Sequence, residues 1–170
     1  DPAPGPEMKS TGEVYGSDIE ADVAYLKARL ATEIPVPTSG GVYLTVRASA
    51  KNDLVPLAKD LSELGFNIFA TPGTADVLRG GDVQVKTVYR INDRRHPDAL
   101  DLMRKGEVQF IVNLPTVSGG AVRDGNMMRR LAVEMNIPFV TTLSGAKMEI
   151  NAINALQKKE PEPCKLEVNY

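Results

Sequence analysis

Two threonines and a glycine at a predicted strand-to-helix turn have the spacing that most suggests chemistry. The apolar run at 66–70 ends in Thr71-Pro72-Gly73-Thr74, and a helical pattern begins at once. The first backbone N–H groups of a helix have no partner inside the helix, so this turn offers amide donors and two hydroxyls to a phosphate or carboxylate. Turn formation and helix capping explain the same residues, so the turn alone leaves both interpretations open.

Polar side chains also follow other predicted strands. Lys51 comes after the first strand, Arg90 ends the third, and Asn113 ends the fourth. Arg90 could bind a phosphate through two parallel hydrogen bonds, with Lys51 as a point charge. Each has an ordinary explanation too, as a solvated lysine, a charged loop or an asparagine bonded to local backbone. The predicted binding set for an anionic small ligand is Lys51, Thr71, Gly73, Thr74, Arg90, Asn113, Thr116 and Ser118.

Catalytic groups are harder to assemble from this sequence. The one histidine, His96, opens a predicted helix, and no serine at a strand end has a histidine to act as its base. Asp98, Asp101 and Asp124 could act as bases, but the preference for acids in the first turn of a helix explains each of them. Cys164 lies in the tail without an activating environment. We therefore predict no catalytic residue and no metal site.

Length and composition limit the class of protein. The 170 residues fit one domain plus appendages, and with 42% hydrophobic and 5% aromatic residues the core should be aliphatic. The formal charge of −2 argues against binding nucleic acid or an anionic membrane. A single cysteine argues against a disulfide framework, and no apolar run reaches the ~20 residues that span a bilayer. The acidic, proline-rich start does not resemble a signal peptide, so we expect a soluble, cytoplasmic domain, or one in an organelle if the source is eukaryotic.

The order of elements predicts an α/β fold. Predicted strands lie at 42–46, 67–70, 83–89, 108–112 and 138–140, and predicted helices at 52–64, 74–78, 97–105, 124–135 and 145–156. Short apolar strands alternating with helices indicate a three-layer, doubly wound, mostly parallel five-stranded sheet. Ligands of such sheets bind at the carboxyl ends of the strands, which would gather the predicted binding set at one edge.

The ends of the chain carry further predictions. Residues 1–16 should lack regular structure, and Ser17 should cap a helix at about 18–32 that has Ile19, Val23, Leu26 and Leu30 on one apolar face. A proline- and glycine-rich linker follows at 34–41, and residues 165–168 are predicted as an edge strand.

Two signatures in the sequence resemble known families, and the first of them consists of two segments. Phe69-Ala-Thr-Pro-Gly-Thr-Ala75 and Val112-Asn-Leu-Pro115 resemble methylglyoxal-synthase-like domains. Residues 5–14, reading Gly-Pro-Glu-Met-Lys-Ser-Thr-Gly-Glu-Val, resemble the end of the second ATP-grasp half of carbamoyl-phosphate synthetase large subunits. This order implies the C-terminal regulatory domain of such a subunit, with 1–41 as the end of the ATP-grasp half plus helix and linker. Residues 42–160 would be the allosteric domain, and 161–170 a tail.

The resemblance also implies ligands and partners. The fragment itself would be no enzyme and hold no cofactor, whereas its parent would be an ATP-dependent ligase using ATP, Mg²⁺ and K⁺. Its partners would be an anionic effector, the ATP-grasp halves of the same chain and a glutaminase subunit or domain, in an oligomeric parent without nucleic acid or membrane. The family's nucleotide site, which takes UMP or IMP in microbial-type enzymes, matches Lys51, Thr71, Thr74 and Asn113, with Arg90 replacing a lysine. Thr116 and Ser118 lie where the family supplies further phosphate or ribose contacts.

Three other ligands or activities follow from the same resemblance. Ammonia-dependent urea-cycle enzymes bind N-acetylglutamate in this pocket, and they share Asn113-Leu114-Pro115 with this chain but also have a tryptophan, which this chain lacks. Ornithine control needs an aspartate where Val140 stands. The lyase methylglyoxal synthase has a catalytic aspartate and histidine where His96 and Ala121 stand, so only Asp124 keeps an acidic group. A phosphorylated effector such as UMP, IMP or phosphoribosyl pyrophosphate is therefore expected.

Overall fold

The computed structural model of the protein describes residues 14–114 and 120–162, and for residues 120 and 121 only the backbone. The strands in this part of the chain are β1 (Gly41–Val46), β2 (Asn67–Ala70), β3 (Val85–Thr87), β4 (Phe110–Leu114) and β5 (Phe139–Val140). The α-helices are α1 (Ala21–Leu30), α2 (Lys51–Glu63), α3 (Pro72–Gly80), α4 (Ala99–Arg104), α5 (Gly120–Glu134) and α6 (Leu143–Lys158). None of the described helices is both long enough and apolar enough to cross a membrane.

The five strands form one sheet in the order β3-β2-β1-β4-β5, and every neighbouring pair is parallel. The chain builds the sheet outward from β1 to β3 and then returns to place β4 on the other side of β1. The strand order therefore switches between β1 and β4, where Thr45 lies opposite Asn113. Folds of this kind bind ligands at such a switch. The predicted parallel α/β fold is confirmed, and the sheet is wholly parallel.

Helices cover both faces of the sheet. Alternate residues of a strand point to opposite faces, so Val42 and Leu44 pack on one side while Tyr43 packs on the other. The first side holds the larger core, where α2, α3 and α6 contribute Leu54, Leu61, Leu78 and Ile153, among others. On the second side α4 and α5 contribute, among others, Leu102, Met103 and Met128. This is the three-layer arrangement expected from the sequence.

Two predicted strands have different limits in the structure. The third was predicted at 83–89, but β3 is shorter because β2 offers it only three partners, the last being Ala70 opposite Thr87. The N–H of Val83 instead closes the end of α3 by donating to the carbonyl of Leu78 at 3.0 Å. The fourth was predicted at 108–112, but β4 continues to Leu114, so Asn113 lies inside a paired strand.

The first helix also begins later than predicted. Glu20, not Ser17, is the N-cap residue of α1, and Ile19 is fully exposed instead of turned inward. The reason is that the segment before α1 folds back over the helix. A Cβ atom on Gly16 would lie 2.1 Å from the carbonyl oxygen of Ala24, so only glycine fits this approach. Of the predicted apolar face, Leu26 is fully buried, whereas Leu30 is exposed. The predicted tail strand at 165–168 lies outside the described residues.

Candidate functional site

A cavity of about 410 Å³ opens at the carboxyl ends of β1 and β4, where the strand order switches. Its walls come from the ends of these two strands, the first residues of α2 and α3, the short 3₁₀ turn Ile91–Asp93 and the first half of α5. The switch between β1 and β4 therefore creates the concave surface that the sequence placed at this edge.

The structure brings most of the predicted binding set to this cavity. Lys51, Thr71, Thr74, Arg90 and Asn113 all line it. Gly73 lies beside it and contacts Lys51. Thr116 and Ser118 lie outside the described residues.

Lys51 and Gly73 are in direct contact. The Lys51 ammonium donates a hydrogen bond of 2.7 Å to the carbonyl oxygen of Gly73. A Cβ atom added to Gly73 would lie 2.8 Å from Nζ, so a larger residue would displace the ammonium. Because α2 begins at Lys51 and α3 begins one residue before Gly73, this contact fixes a positive charge at the N-terminus of α3.

The Thr71 hydroxyl at the N-terminus of α3 makes no capping hydrogen bond. Thr71 is its N-cap residue, with φ −65° and ψ 155°, yet its side chain caps no backbone amide. Its carbonyl oxygen accepts the N–H groups of Thr74 and Ala75 at 2.9 and 2.8 Å. The Thr71 hydroxyl is therefore available to a ligand, next to the partial positive charge of the helix N-terminus.

Asn113 and Asp124 line the cavity, and each carries a buried polar atom without a partner among the described residues. Asn113 is only 6% exposed, and among the described residues neither its Nδ2 nor Oδ1 of Asp124 has a hydrogen-bond partner. A Cβ atom on Gly125 would lie 3.0 Å from that Nδ2, so glycine lets α5 approach β4 closely here. Buried donors and acceptors without partners are costly, and a ligand in the cavity could pair with both.

Burial shifts the ionisation of two groups in the cavity wall. Desolvation raises the pKa of Asp124, opposed by the N–H of Asn92, which donates to Oδ2 at 3.4 Å. The nearby charge of Asp93 raises the pKa of Asp124 further. Desolvation, together with the charge of Asp124, raises the pKa of the Tyr43 phenol. The Tyr43 hydroxyl therefore stays protonated. The carboxyl of Asp124, on α5, holds its proton more tightly than a solvated aspartate does.

The cavity contains residues that the sequence did not single out as binding groups. Tyr43, Thr45, Arg47, Asn92 and Asp93 line it, and Asp124 had been considered only as a base. Thr45 and Arg47 could have been found, because they lie at the end of the first predicted strand, as Arg90 lies at the end of the third predicted strand. Asn92 and Asp93 depend on a short 3₁₀ turn that no periodicity predicts. The wall thus carries three cations, Arg47 among them, and two carboxylates.

A second polar cluster has a structural explanation. One ligand atom from each of His96, Asp98 and Asp101 lies within 4.8 Å of the others. Asp98 and Asp101, however, accept each other's backbone N–H groups, both at 3.0 Å, and so cap α4. His96 hydrogen-bonds to the Asp101 carboxylate that does this capping. The cluster is explained by the start of α4.

A family model described as "MGS-like domain" matches residues 53–141. The chain is 41% identical over 159 residues to a carbamoyl phosphate synthase large chain, C-terminal section, from Methanopyrus kandleri, covering 94% of this chain and 29% of that protein. The corresponding protein of Methanocaldococcus jannaschii is 44% identical over 161 residues, covering 94% and 26%. An arginine-specific large chain from Oryza sativa, described as chloroplastic, is 41% identical over 165 residues, covering 96% and 14%. The chain thus spans less than a third of the length of each.

A solved structure gives the same fold. Methylglyoxal synthase from Elizabethkingia anophelis superposes with a TM-score of 0.53 at 19% identity, covering 68% of this chain and 79% of that one. At this identity the likeness concerns the fold alone. The resemblance read from the two sequence signatures is confirmed by the family model and the three relatives.

Proposed function

Because this chain belongs to the family of MGS-like domains, we propose that it is the effector-binding regulatory domain of a carbamoyl-phosphate synthetase. The parent enzyme would make carbamoyl phosphate with ATP, for pyrimidine or arginine synthesis. The ligand would be a phosphorylated small molecule such as UMP, IMP or phosphoribosyl pyrophosphate. Supporting this, the chain is similar over 94% of its length to the C-terminal section of two large chains.

One observation carries the proposal: the cavity is charged differently on its two sides. Lys51, Thr71 and Thr74 meet at the N-terminus of α3, which suits a phosphate. The β4 and α5 side instead carries Asn113 and Asp124, each with a buried polar atom that has no partner among the described residues. A ligand with a phosphate at one end and hydroxyl or amide groups at the other would pair with both sides. Nucleotides and phosphorylated sugars have this composition.

Regulation requires that the effector bind two states of the parent enzyme unequally. The chain needs no catalytic group for that task. A coupling of about 1–3 kcal/mol between the cavity and the distant catalytic part is typical of allosteric proteins.

Isothermal titration of this chain with UMP, IMP, phosphoribosyl pyrophosphate, N-acetylglutamate and ornithine tests the proposal. We expect saturable binding of at least one phosphorylated compound. Replacing Lys51 by Gln should weaken it about 10- to 100-fold, the value of a hydrogen bond to a charged group. Lys59→Gln, on the exposed side of α2, is the matched control and should leave affinity unchanged. Binding of N-acetylglutamate alone would redirect the assignment to an ammonia-type enzyme, and binding of none would refute it.

A lyase activity is the second candidate, favoured by Asp124, whose raised pKa and position in the cavity suit a proton acceptor. Against it, the one histidine of the sequence does not line the cavity and is bonded to Asp101. Incubating the chain with dihydroxyacetone phosphate and assaying methylglyoxal separates the two. We expect no product above the background of an Asp124→Asn variant.

A further inference from the structure

Helix α1 is held against α6 by a buried ion pair on the flank of the domain. The side chain of Glu149 is 1% exposed and that of Arg29 14%. Nη2 of Arg29 donates to Oε1 of Glu149 at 2.8 Å, and Nε lies within 3.0 Å of both carboxylate oxygens. The hydroxyl of Tyr25 donates to Oε2 at 2.9 Å. Both oxygens of this buried carboxylate are therefore paired, and both partners come from α1.

The ionisation of the two α1 residues suits these roles. Burial alone would lower the pKa of Arg29, but the hydrogen bonds and charge of Glu149 raise it. Burial, with the charge of Glu149, raises the pKa of Tyr25 to about 12, so its hydroxyl remains a donor. A bidentate pair fixes direction as well as distance, whereas apolar contacts let two helices slide. The register of α1 on α6 is thus set by named atoms.

The same guanidinium also binds the segment that leads into the sheet. Nη1 of Arg29 donates to the hydroxyl of Thr32 at 2.9 Å, and Nη2 donates to the carbonyl oxygen of Pro35 at 3.3 Å. Pro35 lies in the predicted linker at 34–41, and Thr32 lies just before it. Arg29 therefore joins α1, α6 and the linker at one point.

Helix α6 connects this point to the cavity. It begins after β5, the strand paired with β4, which carries Asn113. Glu149 is six positions after the first residue of α6, about 9 Å along the helix. Helix α6 also packs on α2, whose first residue is Lys51. The helix that carries Glu149 thus packs on α2, which contributes to the cavity, and follows β5, which pairs with β4.

We propose that Tyr25, Arg29 and Glu149 are positioning residues that transmit the occupancy of the cavity to α1. They touch no ligand; they make α1 follow α6 as one body when α6 shifts. The inference rests on the proposed function and names the residues through which effector binding would act on α1. The relatives are longer than this chain, and two of them are described as C-terminal sections. In such a protein, α1 adjoins the preceding polypeptide that regulation would reach.

Hydrogen–deuterium exchange of the 170-residue chain, with and without saturating UMP, IMP or phosphoribosyl pyrophosphate, tests the route. We expect the bound probe to slow exchange at the starts of α2 and α3 and also in α1. The double variant Arg29→Met/Glu149→Met replaces the pair by apolar side chains and avoids an unpaired buried charge. In it the response of α1 should fall at least about fivefold, while the probe's Kd stays within about twofold.

The matched control removes a neighbouring contact between the same two helices. Nδ2 of Asn151 donates to Oδ1 of Asp22 at 3.0 Å, and Asn151→Ala deletes this bond without touching the ion pair. This variant should keep the α1 response. An equal loss in Asn151→Ala, an unchanged response in the double variant, or a Kd that weakens in parallel would overturn the inference. If a probe binds but α1 of the unmodified chain does not respond, the inference alone fails; if no probe binds, the proposed function fails with it.

Discussion

The ammonium of Lys51 donates a 2.7 Å hydrogen bond to the carbonyl oxygen of Gly73, joining the first residue of α2 to the first turn of α3. The two residues are far apart in sequence, yet the contact fixes a cation where a helix N-terminus already favours an anion. The bond also depends on the missing side chain of Gly73, since a Cβ atom there would lie 2.8 Å from Nζ.

Replacing Gly73 by Ala should therefore separate affinity from stability. Alanine is a better helix former than glycine by up to ~1 kcal/mol, and the flexible lysine can move aside, so we expect stability to be unchanged or slightly higher. The displaced ammonium should weaken binding of the phosphorylated probe about tenfold.

Gly80→Ala is the control for this substitution. Gly80 ends the same helix, and a Cβ atom there would meet nothing within 4 Å. It should affect stability similarly without affecting affinity. Urea denaturation and calorimetry measure the two effects, and equal affinity of both variants would contradict the assigned role of Gly73.

Thr71 and Thr142 are both N-cap residues, but only one caps with its side chain. The Thr142 hydroxyl accepts the N–H of Gly145 at 3.0 Å, whereas the Thr71 hydroxyl makes no such bond. Thr142→Ala should cost about 1 kcal/mol of stability and leave binding intact. Thr71→Ala should do the reverse, weakening binding with little loss of stability. The idea fails if Thr71→Ala destabilises the fold as much as Thr142→Ala.

Asp124 should make stability depend on pH below neutrality. Because burial raises its pKa in the folded chain, the folded state holds the proton more tightly than the unfolded state. Stability should then fall as pH rises from the unfolded pKa of about 3.9 through the raised folded value. Asp124→Asn should remove this decline, as measured by urea denaturation from about pH 4 to pH 7. Asp76→Asn, at an exposed site on α3, controls for the removal of one carboxylate from the chain.

His96 should stabilise the fold only while its imidazole is protonated. Its hydrogen bond to Asp101 raises its pKa, so the protonated form is favoured in the folded state. That contribution is present below the unfolded pKa of about 6.5 and is lost as pH rises through the folded value. The Tm should be higher at about pH 5.5 than it would be without this contribution, and His96→Gln should reduce the difference in Tm between about pH 5.5 and pH 8.5. A difference of equal size in the variant would show that other groups cause it.

Local patterns in the sequence predicted the sheet and much of the cavity wall. The leucine spacing at 54, 57 and 61 is repeated inside α2, and all three leucines are buried. The Thr71–Thr74 turn marks the start of α3 because strand ends and helix starts have local signals. Since carboxyl ends of parallel strands meet at one edge, residues at those ends could be grouped without coordinates.

Contacts between residues that are far apart in the sequence could not be predicted from local patterns. Ile19 was placed inward by helical spacing, but the approach of Gly16 to Ala24 starts the helix later and leaves Ile19 exposed. Glu149 has no local signal for burial, because its partner Arg29 is 120 positions away. Asn113 on β4 and Asp124 on α5 line one cavity only because α5 packs closely on β4, and this tertiary contact has no local signal either.

The register that sets Thr45 opposite Asn113 has a consequence for the folding pathway. The walls of the cavity come from strands that are distant in sequence, so the cavity forms only when β1 and β4 have paired. A phosphorylated compound that binds there would report on the pairing of β1 with β4, and no isolated fragment ending before β4 should bind it.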